Sequence, residues 1–351
     1  MSPPATLPRP TYARPRSAIE SATQALLRDF RRQRPLRGGS LIVTIFGDAI
    51  APRGGVIRLG SLIRLTQPFG LTERLVRTSV ARLAQDGWLI ARRDGRRSEY
   101  ALSVQGQERF AEATQRIYGR LAAQWDGHWS LLVLPRLTGK DRKRIPAELK
   151  WLGFGEIAPR VFAHPDSGLA RSTEWLRHLQ IGEAALVLTS TSGEPLTAQR
   201  LVQSGWDLDE LTTRYARFLQ SFAPVDQALE AAAVPDEQTA FVIRTLLIHE
   251  YRKIHLQDPL LPPALLPADW VGARAYELCA TAYAAVFSAA EAFLSTTAST
   301  LDDTLPPAQR SAYARFGGIA VASPSPTGGR PAGGSLQPPA RRPATRRLQR
   351  S

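Results

Sequence analysis

The side chains best suited to chemistry in this sequence are arginines crowded into one short stretch. A first group recurs at helical spacing, and a second group follows within a few residues. A guanidinium is a permanent cation with a planar fork of donors that suits phosphates and the edges of DNA bases. Cations this close repel one another, so a polyanionic partner explains the cluster. The predicted nucleic-acid contacts are Arg74, Arg77, Thr78, Arg82, Arg92, Arg93, Arg96 and Arg97.

A helix must position the first group. Apolar or small residues fall at i, i+3, i+4 and i+7 and predict one buried face, which leaves the first group pointing outward. Those buried positions are Val76, Ser79, Val80 and Leu83. Thr72 is the predicted N-cap, and Gly87 is the predicted stop.

A β-hairpin must position the second group. Residues 88–91 and 98–102 are predicted strands. Between them, Asp94-Gly95 favours a tight type I′ turn, which needs positive φ at both central residues. The sequence therefore places four arginines at the hairpin tip.

Two short helices are predicted upstream. Residues 40–51 form an apolar candidate with Ser40 as N-cap, and residues 59–66 form the second. The order helix, helix, turn, helix, hairpin is that of a winged helix-turn-helix. Residues 107–124 are predicted to be a connecting helix.

The charge distribution agrees with one basic end. The formal net charge is +14, of which residues 1–120 carry +12, residues 121–322 carry −4 and residues 323–351 carry +6. This asymmetry favours nucleic acid bound by one part of the chain over a generally adhesive surface.

Composition also excludes several protein classes. The single cysteine, Cys279, excludes an internal disulfide and a cysteine zinc cluster. The N-terminus has no apolar core of a signal peptide. Charged residues interrupt the most apolar run, 271–297, so we predict a buried helix, no membrane span and a cytoplasmic protein.

The remaining chain divides into an α+β unit and a helical unit. Residues 128–134, 161–162 and 184–189 are predicted strands, and residues 146–152 are helix-like. Helical periodicity returns at 211–221, 239–251 and 271–297. Residues 1–37 are predicted to be a disordered or basic N-terminal arm, disordered at 1–16 and either a basic helix or an arm at 17–34, and residues 323–351 a disordered basic tail.

The sequence does not match the catalytic motifs that its residues bring to mind. In HEYRKIH the histidines, His249 and His255, are six residues apart, whereas the zinc-binding helix motif needs four. Two interpretations of this segment remain: polar residues that end a helix and bond the proline loop, or a role in binding an effector. The basic run 140–144 is either a solvated loop or a phosphate contact. A nucleotide-binding glycine pattern and a nucleophile elbow are both missing.

Several long fragments resemble the PaaX family, bacterial repressors of phenylacetic acid degradation operons. Near the N-terminus they are SLIVTIFGDAIAPRGG (40–55), PFGLTERLVRTSVARLAQDGWL (68–89) and GRRSEYAL (95–102). RIYG (116–119), WDGHWSLLVL (125–134) and WLGFGEIAPRVFAHP (151–165) continue the match, as does HEYRKIHLQDPLLPPALLPADW (249–270).

The resemblance implies a multidomain α+β protein. Its expected parts are a winged-helix domain with connecting helix at 38–120, a ferredoxin-like central domain at 121–206 and a helical domain at 207–300. The central domain is expected to be similar to small CRISPR-adaptation nucleases. In those relatives an acidic residue follows the first strand, but here Pro135-Arg136-Leu137 follows it, which argues against nuclease activity.

The resemblance further implies a cytoplasmic, homodimeric repressor of a near-palindromic operator in double-stranded DNA. It is expected to have no cofactor and no metal, and to be released by phenylacetyl-CoA or another aryl-CoA. Cationic and aromatic residues outside the winged helix are the candidate effector contacts: Arg142, Lys143, Arg144, Trp151, Trp175, Trp206, His249, Tyr251 and Arg252. The alternative function is a nucleic-acid-processing enzyme targeted by a winged helix.

Overall fold

The computed structural model describes residues 17–33, 38–95, 97–119, 124–165, 176–177, 179–180, 185–191, 194–301 and 304–319. The helices are α1 (Ala18–Arg32), α2 (Gly38–Ile45), α3 (Leu59–Thr66), α4 (Glu73–Gln85), α5 (Val104–Tyr118), α6 (Asp141–Trp151), α7 (Pro195–Gly205), α8 (Leu208–Glu230), α9 (Glu237–His255), α10 (Val271–Thr297) and α11 (Arg310–Tyr313). The strands are β1 (Val56–Arg58), β2 (Leu89–Asp94), β3 (Arg97–Leu102), β4 (His128–Val133), β5 (Gly155–Ala158), β6 (Val161–His164) and β7 (Leu186–Thr191). The chain is thus a mixed helix and sheet protein with a helical C-terminal region.

The first sheet joins the hairpin to the short helices. Its strand order is β1-β3-β2, with all pairs antiparallel. The sequence did not predict β1, because three residues carry almost no periodicity. Ser40 was wrongly predicted as an N-cap: α2 begins at Gly38, and a π-helical turn at Phe46–Ile50 continues it.

The hairpin turn lies one residue later than predicted. Asp94 pairs with Arg97, so the two strands reach further than residues 91 and 98. Gly95 has a φ of +55°, which glycine adopts without steric cost. Arg92, Arg93 and Arg97 therefore belong to the strands, whereas Arg96 lies outside the described residues.

The described part of the predicted N-terminal arm is folded. Ser17 and Glu20 form a capping box at the start of α1. Ile19, Leu26, Leu27 and Phe30 are buried, and α1 packs against α8. Of the two predicted alternatives for residues 17–34, a basic helix or an arm, the structure shows the helix, and its apolar face packs against the fold. Residues 1–16 and the tail at 323–351 lie outside the described residues.

The central unit holds a second, antiparallel sheet. Its strand order is β5-β6-β4-β7. One apolar cluster, which includes Leu132, Phe162 and Ile145, packs α6 on the sheet. Another cluster, built around Trp129 and Trp206, lies against α7.

The C-terminal region is a packed group of long helices. Among the described residues one helix, α10, is long and apolar enough to cross a membrane by length and composition. In the fold, α10 packs against α8 and α9, and Cys279, Tyr283, Val286 and Phe287 on it are buried. We interpret α10 as a core helix, as its sequence predicted.

A buried ionic cluster ties the N-terminal and C-terminal regions together. Asp48, in the π-helical turn, accepts hydrogen bonds from Tyr118 (2.7 Å), Tyr283 (2.8 Å), Arg244 (2.7 Å) and Arg315 (2.8 Å). Burial alone would raise the pKa of Asp48, but the two guanidiniums hold it below its ordinary value. Asp48 is therefore an anion at the centre of the interface between the two regions.

A second buried cluster surrounds His255. Its Nε2 lies 2.9 Å from the carbonyl of Arg116 on α5 and so donates to it, which leaves Nδ1 to accept from the Tyr251 hydroxyl at 3.0 Å. The Tyr215 hydroxyl is also 3.0 Å from Nδ1 and donates to Asp258 at 2.8 Å. The neutral imidazole is thus the form that this site accommodates.

Stability is expected to fall as the pH is lowered from about 6.5 to about 4. Burial lowers the pKa of His255 to about 4, whereas an unfolded histidine has a pKa of about 6.5. The unfolded state therefore binds the proton first, which costs the folded state up to about 3 kcal/mol across this window. Burial also lowers the pKa of His249, so this histidine adds to the loss of stability at low pH.

Urea unfolding between pH 4.5 and 7 measures this effect. His255→Gln should flatten the pH dependence while lowering stability at pH 7. His128→Gln, at a histidine whose side chain is 41% exposed, is the matched control for the substitution. Equal slopes in wild type and His255→Gln would contradict the prediction.

Candidate nucleic-acid interface

The outer face of α4 presents the first arginine group to solvent. The Thr72 side chain caps the helix by accepting from the Leu75 backbone N–H at 3.3 Å, as predicted. Val76 and Val80 are completely buried, whereas Ser79 and Leu83 are only partly so. Arg74, Arg77, Thr78 and Arg82 are all exposed on the opposite side.

These four side chains are not equally free. Arg77 forms an ion pair with Glu73 at 2.6 Å, one turn earlier on the same face. Arg82 lies 3.9 Å from Asp86, and the Thr78 hydroxyl donates to the carbonyl of Arg74 at 2.9 Å. Arg74 has no ion-pair partner among the described residues. Glu73 both holds Arg77 in place and repels phosphate near the helix N-terminus.

The hairpin arginines divide between its two faces. Arg93 pairs with Ser98, on the face that carries the buried Leu89–Leu102 pair and packs on the helices. Arg92 and Arg97 alternate onto the other face, since successive strand residues point oppositely. All three side chains are exposed. The hairpin can therefore meet a polyanion on either side.

The basic run at residues 140–144 begins a helix, where a solvated loop was one of its two predicted alternatives. Lys140 is the N-cap, and residues 141–144 form the first turn of α6. Arg144 bonds to Asp141 at 2.8 Å and to Glu148 at 3.2 Å. Arg142 and Lys143 are exposed.

The predicted effector residues do not converge as one group. Trp206 is buried beside Trp129 in the central unit, and Tyr251 is buried in the His255 cluster. The HEYRKIH segment ends a helix, as predicted, since α9 stops at His255. His249 lies 2.9 Å from the Thr44 hydroxyl and so bonds α2 rather than the predicted proline loop. Trp175 lies outside the described residues.

Trp151 and Arg252 do share one cavity. It has a volume of about 330 Å³ and lies between α2, α5, α9 and the end of α6. Its aromatic walls are Trp88, Phe110, Tyr118 and Trp151, with aliphatic walls from Val43, Ile117, Ile248 and Leu256. Arg109, Glu112 and Arg252 are charged residues of the lining, as is the fully bonded Asp48. We call this space the α5 cavity.

Arg252 keeps donor capacity at this cavity. Its Nε donates to the Thr44 hydroxyl at 2.7 Å, and its Nη2 donates to Ser40 at 2.8 Å. Its Nη1 has no hydrogen-bond partner among the described residues. Although burial lowers its pKa, an arginine stays charged in a protein. An acceptor oxygen in the cavity would find a cationic donor here.

Sequence reasoning missed the contribution of α5. Arg109 and Arg116 are two turns apart on one helix face, and each stacks 4.9 Å from a tryptophan centroid, Trp88 and Trp151 respectively. The spacing i, i+7 was visible, but one sequence does not show which aromatic ring each arginine meets. Asp48 is the single charged residue in the apolar run 40–51, and this isolated charge was a second sequence signal of a buried contact that the prediction did not use.

Comparison with known proteins gives family matches along most of the chain. Residues 37–106 match the PaaX-like protein family, residues 122–202 match the PaaX protein central Cas2-like domain, and residues 206–296 match the PaaX-like protein C-terminal domain. The Escherichia coli (strain K12) protein "Transcriptional repressor PaaX" is 40% identical over 295 residues, which cover 82% of this chain and 92% of that protein. The chain belongs to the PaaX family.

The PaaX matches coincide with the structural units. The first ends within α5, the second spans the β5-β6-β4-β7 sheet, and the third covers α8 to α10. A solved structure, "Uncharacterized protein Rv0674 from Mycobacterium tuberculosis", has 25% sequence identity and a TM-score of 0.44, covering 66% of this chain and 89% of that chain. Among the described residues, no group of three or more His, Cys, Asp or Glu side chains is placed to hold a metal ion.

Proposed function

We propose that this PaaX-family chain is a cytoplasmic transcriptional repressor that binds a near-palindromic operator as a homodimer. The observation that carries the proposal is the exposed arginine face of α4 beside a basic hairpin. The name of the E. coli relative, 40% identical over most of both chains, supports the regulatory role.

The proposal includes a winged helix-turn-helix at 38–120. In it α3 and α4 form the helix-turn-helix, α4 enters the major groove, and β2–β3 is the wing. Arg74, Arg77, Thr78 and Arg82 would contact base edges and nearby phosphates. The wing arginines would track phosphates or the adjacent minor groove.

We also propose a ferredoxin-like fold for the central unit. Numbered from β4, its strands lie in the order 2-3-1-4, and every neighbouring pair is antiparallel. A right-handed β-α-β-β connection with a helix between the first two strands produces this order. The first strand, β4, runs into Leu134 and then Pro135-Arg136-Leu137 with no carboxylate, which supports a structural rather than a nucleolytic role.

The effector we propose is an aryl-CoA thioester such as phenylacetyl-CoA, with phenylacetate degradation as the controlled pathway. Such a ligand would lower operator affinity by preferring the conformation that does not bind DNA. The family resemblance supports the ligand class, and the α5 cavity supplies an apolar space outside the arginine face.

Binding-site selection from a random duplex library tests the repressor function. We expect enrichment of two inverted half-sites about 10 base pairs, or a multiple of that, apart. Sedimentation should show two chains per duplex. Enrichment of no motif, or cutting of the DNA when Mg²⁺ or Mn²⁺ is added, would contradict the proposal.

The two arginine groups are expected to respond differently to alanine. Arg77→Ala should cost roughly 1–3 kcal/mol on the selected duplex and relax sequence preference, as a base contact does. Arg93→Ala should weaken binding to all sequences about equally and lower the salt slope by about one.

Fluorescence anisotropy on selected and scrambled duplexes separates these effects. Arg274→Ala, which removes the same charge from the exposed side of α10, is the matched control and should change neither affinity. An unchanged ratio of the two affinities in Arg77→Ala would mean that α4 does not read the bases.

A further inference from the structure

The α5 cavity has the composition of a site for an aromatic group. Four of its walls are rings, and ring faces and edges favour another flat ring over a flexible chain. Its volume of about 330 Å³ is at the low end for ligand pockets, which span about 300–1,000 Å³. This space suits one ring with a short acyl arm, and a nucleotide attached to that arm must stay outside.

The lining offers a cationic donor to an acceptor oxygen of the ligand. Nη1 of Arg252 is the unpartnered donor described above, and the exposed Arg109 stands at the rim. Of the two carboxylates in the lining, Asp48 is already neutralised by Arg244 and Arg315, and Glu112 is exposed. The carbonyl oxygen of an acyl group next to the ring can therefore accept from Arg252.

Two other cavities of similar volume have three aromatic walls each rather than four. A cavity between α1, α8 and α9 is lined by Phe30, Phe218 and Phe222 and carries both acidic and basic residues, Asp29, Glu250, Arg214, Arg217 and Lys253. A cavity between the central sheet and α8 is lined by Phe154, Phe162 and Trp206, and its three carboxylates, Glu156, Asp207 and Glu210, outnumber its two cations, Lys150 and Arg214. The α5 cavity is therefore the better match to an aryl acyl group.

One wall of the α5 cavity is also the joint between α4 and the hairpin. The Trp88 backbone N–H donates to the carbonyl of Leu83 at the end of α4 (2.9 Å), and its carbonyl accepts from Ser103 at 3.1 Å. Gly106 of α5 packs so closely that a Cβ there would lie 2.3 Å from the Trp88 carbonyl. A ligand that displaces the Trp88 backbone must therefore move α4, the hairpin or α5.

We infer that the α5 cavity binds the aromatic acyl end of the effector, and that displacement of Trp88 transmits binding to the recognition helix. This assignment rests on the proposed function for its ligand class. The ring occupies the space between Trp88 and Trp151, the thioester carbonyl accepts from Arg252, and the nucleotide lies outside. All three matched regions meet at this site, since Trp88, Trp151 and Arg252 each come from a different one.

The test combines calorimetry with operator anisotropy on the full chain, using phenylacetyl-CoA, free phenylacetate and CoA as probes. Ala113, on α5, lines the cavity, so Ala113→Phe fills it. Ala147→Phe, on α6, makes the same change in the cavity beside α8 and is the matched control. Phenylacetyl-CoA should bind wild type and Ala147→Phe and lower their operator affinity by about 5- to 150-fold.

Ala113→Phe should keep its operator affinity but bind phenylacetyl-CoA at least about tenfold more weakly than wild type. Phenylacetyl-CoA should therefore hardly change the operator affinity of this variant. Trp151 lies on the opposite, partly exposed wall of the cavity. Trp151→Leu should also weaken phenylacetyl-CoA binding, and this second variant tests the site if Ala113→Phe does not fold. Free phenylacetate and CoA should each bind more weakly than the thioester to wild type.

Trp88→Leu tests the transmission step. It should still bind phenylacetyl-CoA but release the operator less than wild type does. Wild-type affinity for phenylacetyl-CoA in folded Ala113→Phe and Trp151→Leu would overturn the site while the proposed repressor stands. Operator binding without any response to phenylacetyl-CoA in wild type would overturn the proposed effector and the site together. Unchanged release in Trp88→Leu would overturn the transmission route.

Discussion

Replacing Asp48 by asparagine is expected to lower the free energy of unfolding by about 3–5 kcal/mol, the cost of removing one partner from a buried ionic cluster. Arg244 and Arg315, only 1% and 4% exposed, would keep their charges but lose the carboxylate between them. Glu291, which already bonds to Arg244 at 2.6 Å and to Arg53 at 2.5 Å, cannot replace it. Loss of this anion should loosen the contact between α2 and the C-terminal helices.

Equilibrium unfolding in urea at pH 7 measures this change. Glu73→Gln breaks the exposed ion pair with Arg77 and is the matched control, expected to cost about 0.2–1 kcal/mol. A loss of under 1 kcal/mol in Asp48→Asn would show that the cluster does not hold the two regions together.

The same carboxylate predicts part of the acid sensitivity. Because the folded pKa of Asp48 is lowered, its contribution is present above the unfolded value of about 3.9 and is lost as the pH falls through the folded pKa. The histidine effect appears at higher pH, between about 6.5 and 4, so the two are separable. Asp48→Asn should remove the lower-pH step only.

Local signals in the sequence predicted the elements that carry the arginines. Thr72 begins α4 because its side chain satisfies a backbone N–H within three residues, and α10 has the predicted bounds of 271–297 because its apolar residues persist through the whole run. The hairpin was right in kind but wrong by one residue at the turn. There, cross-strand pairing of Asp94 with Arg97 outweighed the preference for an Asp-Gly turn.

Contacts between distant parts of the chain were not predictable from one sequence. Asp48 meets Arg244 and Arg315 across about two hundred residues of chain or more, and their types suit any ionic surface as well. The α5 cavity draws walls from three matched regions, so no local pattern marks it. Of the predicted effector residues that the structure describes, only Trp151 and Arg252 lie there. Trp206, His249 and Tyr251 are buried in other contacts, Arg144 pairs with Asp141 and Glu148, and Arg142 and Lys143 are exposed.

Operator affinity is expected to fall on the order of 10³-fold to 10⁵-fold between about 50 and 200 mM salt, the change that six to ten phosphate contacts produce. Neutralised phosphates release condensed counterions, so each contact adds about 0.9 to the slope of log affinity against log salt. Arg74, Arg92, Arg93 and Arg97 have no carboxylate within ion-pair distance among the described residues and are the free cations that phosphates would meet.

The slope of log affinity against log salt also indicates how many chains bind one duplex. Four free arginines in each of two chains correspond to a slope of about −7, and one chain alone to about −4. Arg77 and Arg82 add less, because Glu73 and Asp86 already neutralise them in part. Titration of the selected duplex with NaCl, followed by anisotropy, measures the slope, and sedimentation of the same sample measures the stoichiometry. A slope near −4 with two bound chains would mean that only half of these arginines contact phosphate. An operator affinity that does not change with salt would show that the arginine face is not the DNA-binding surface.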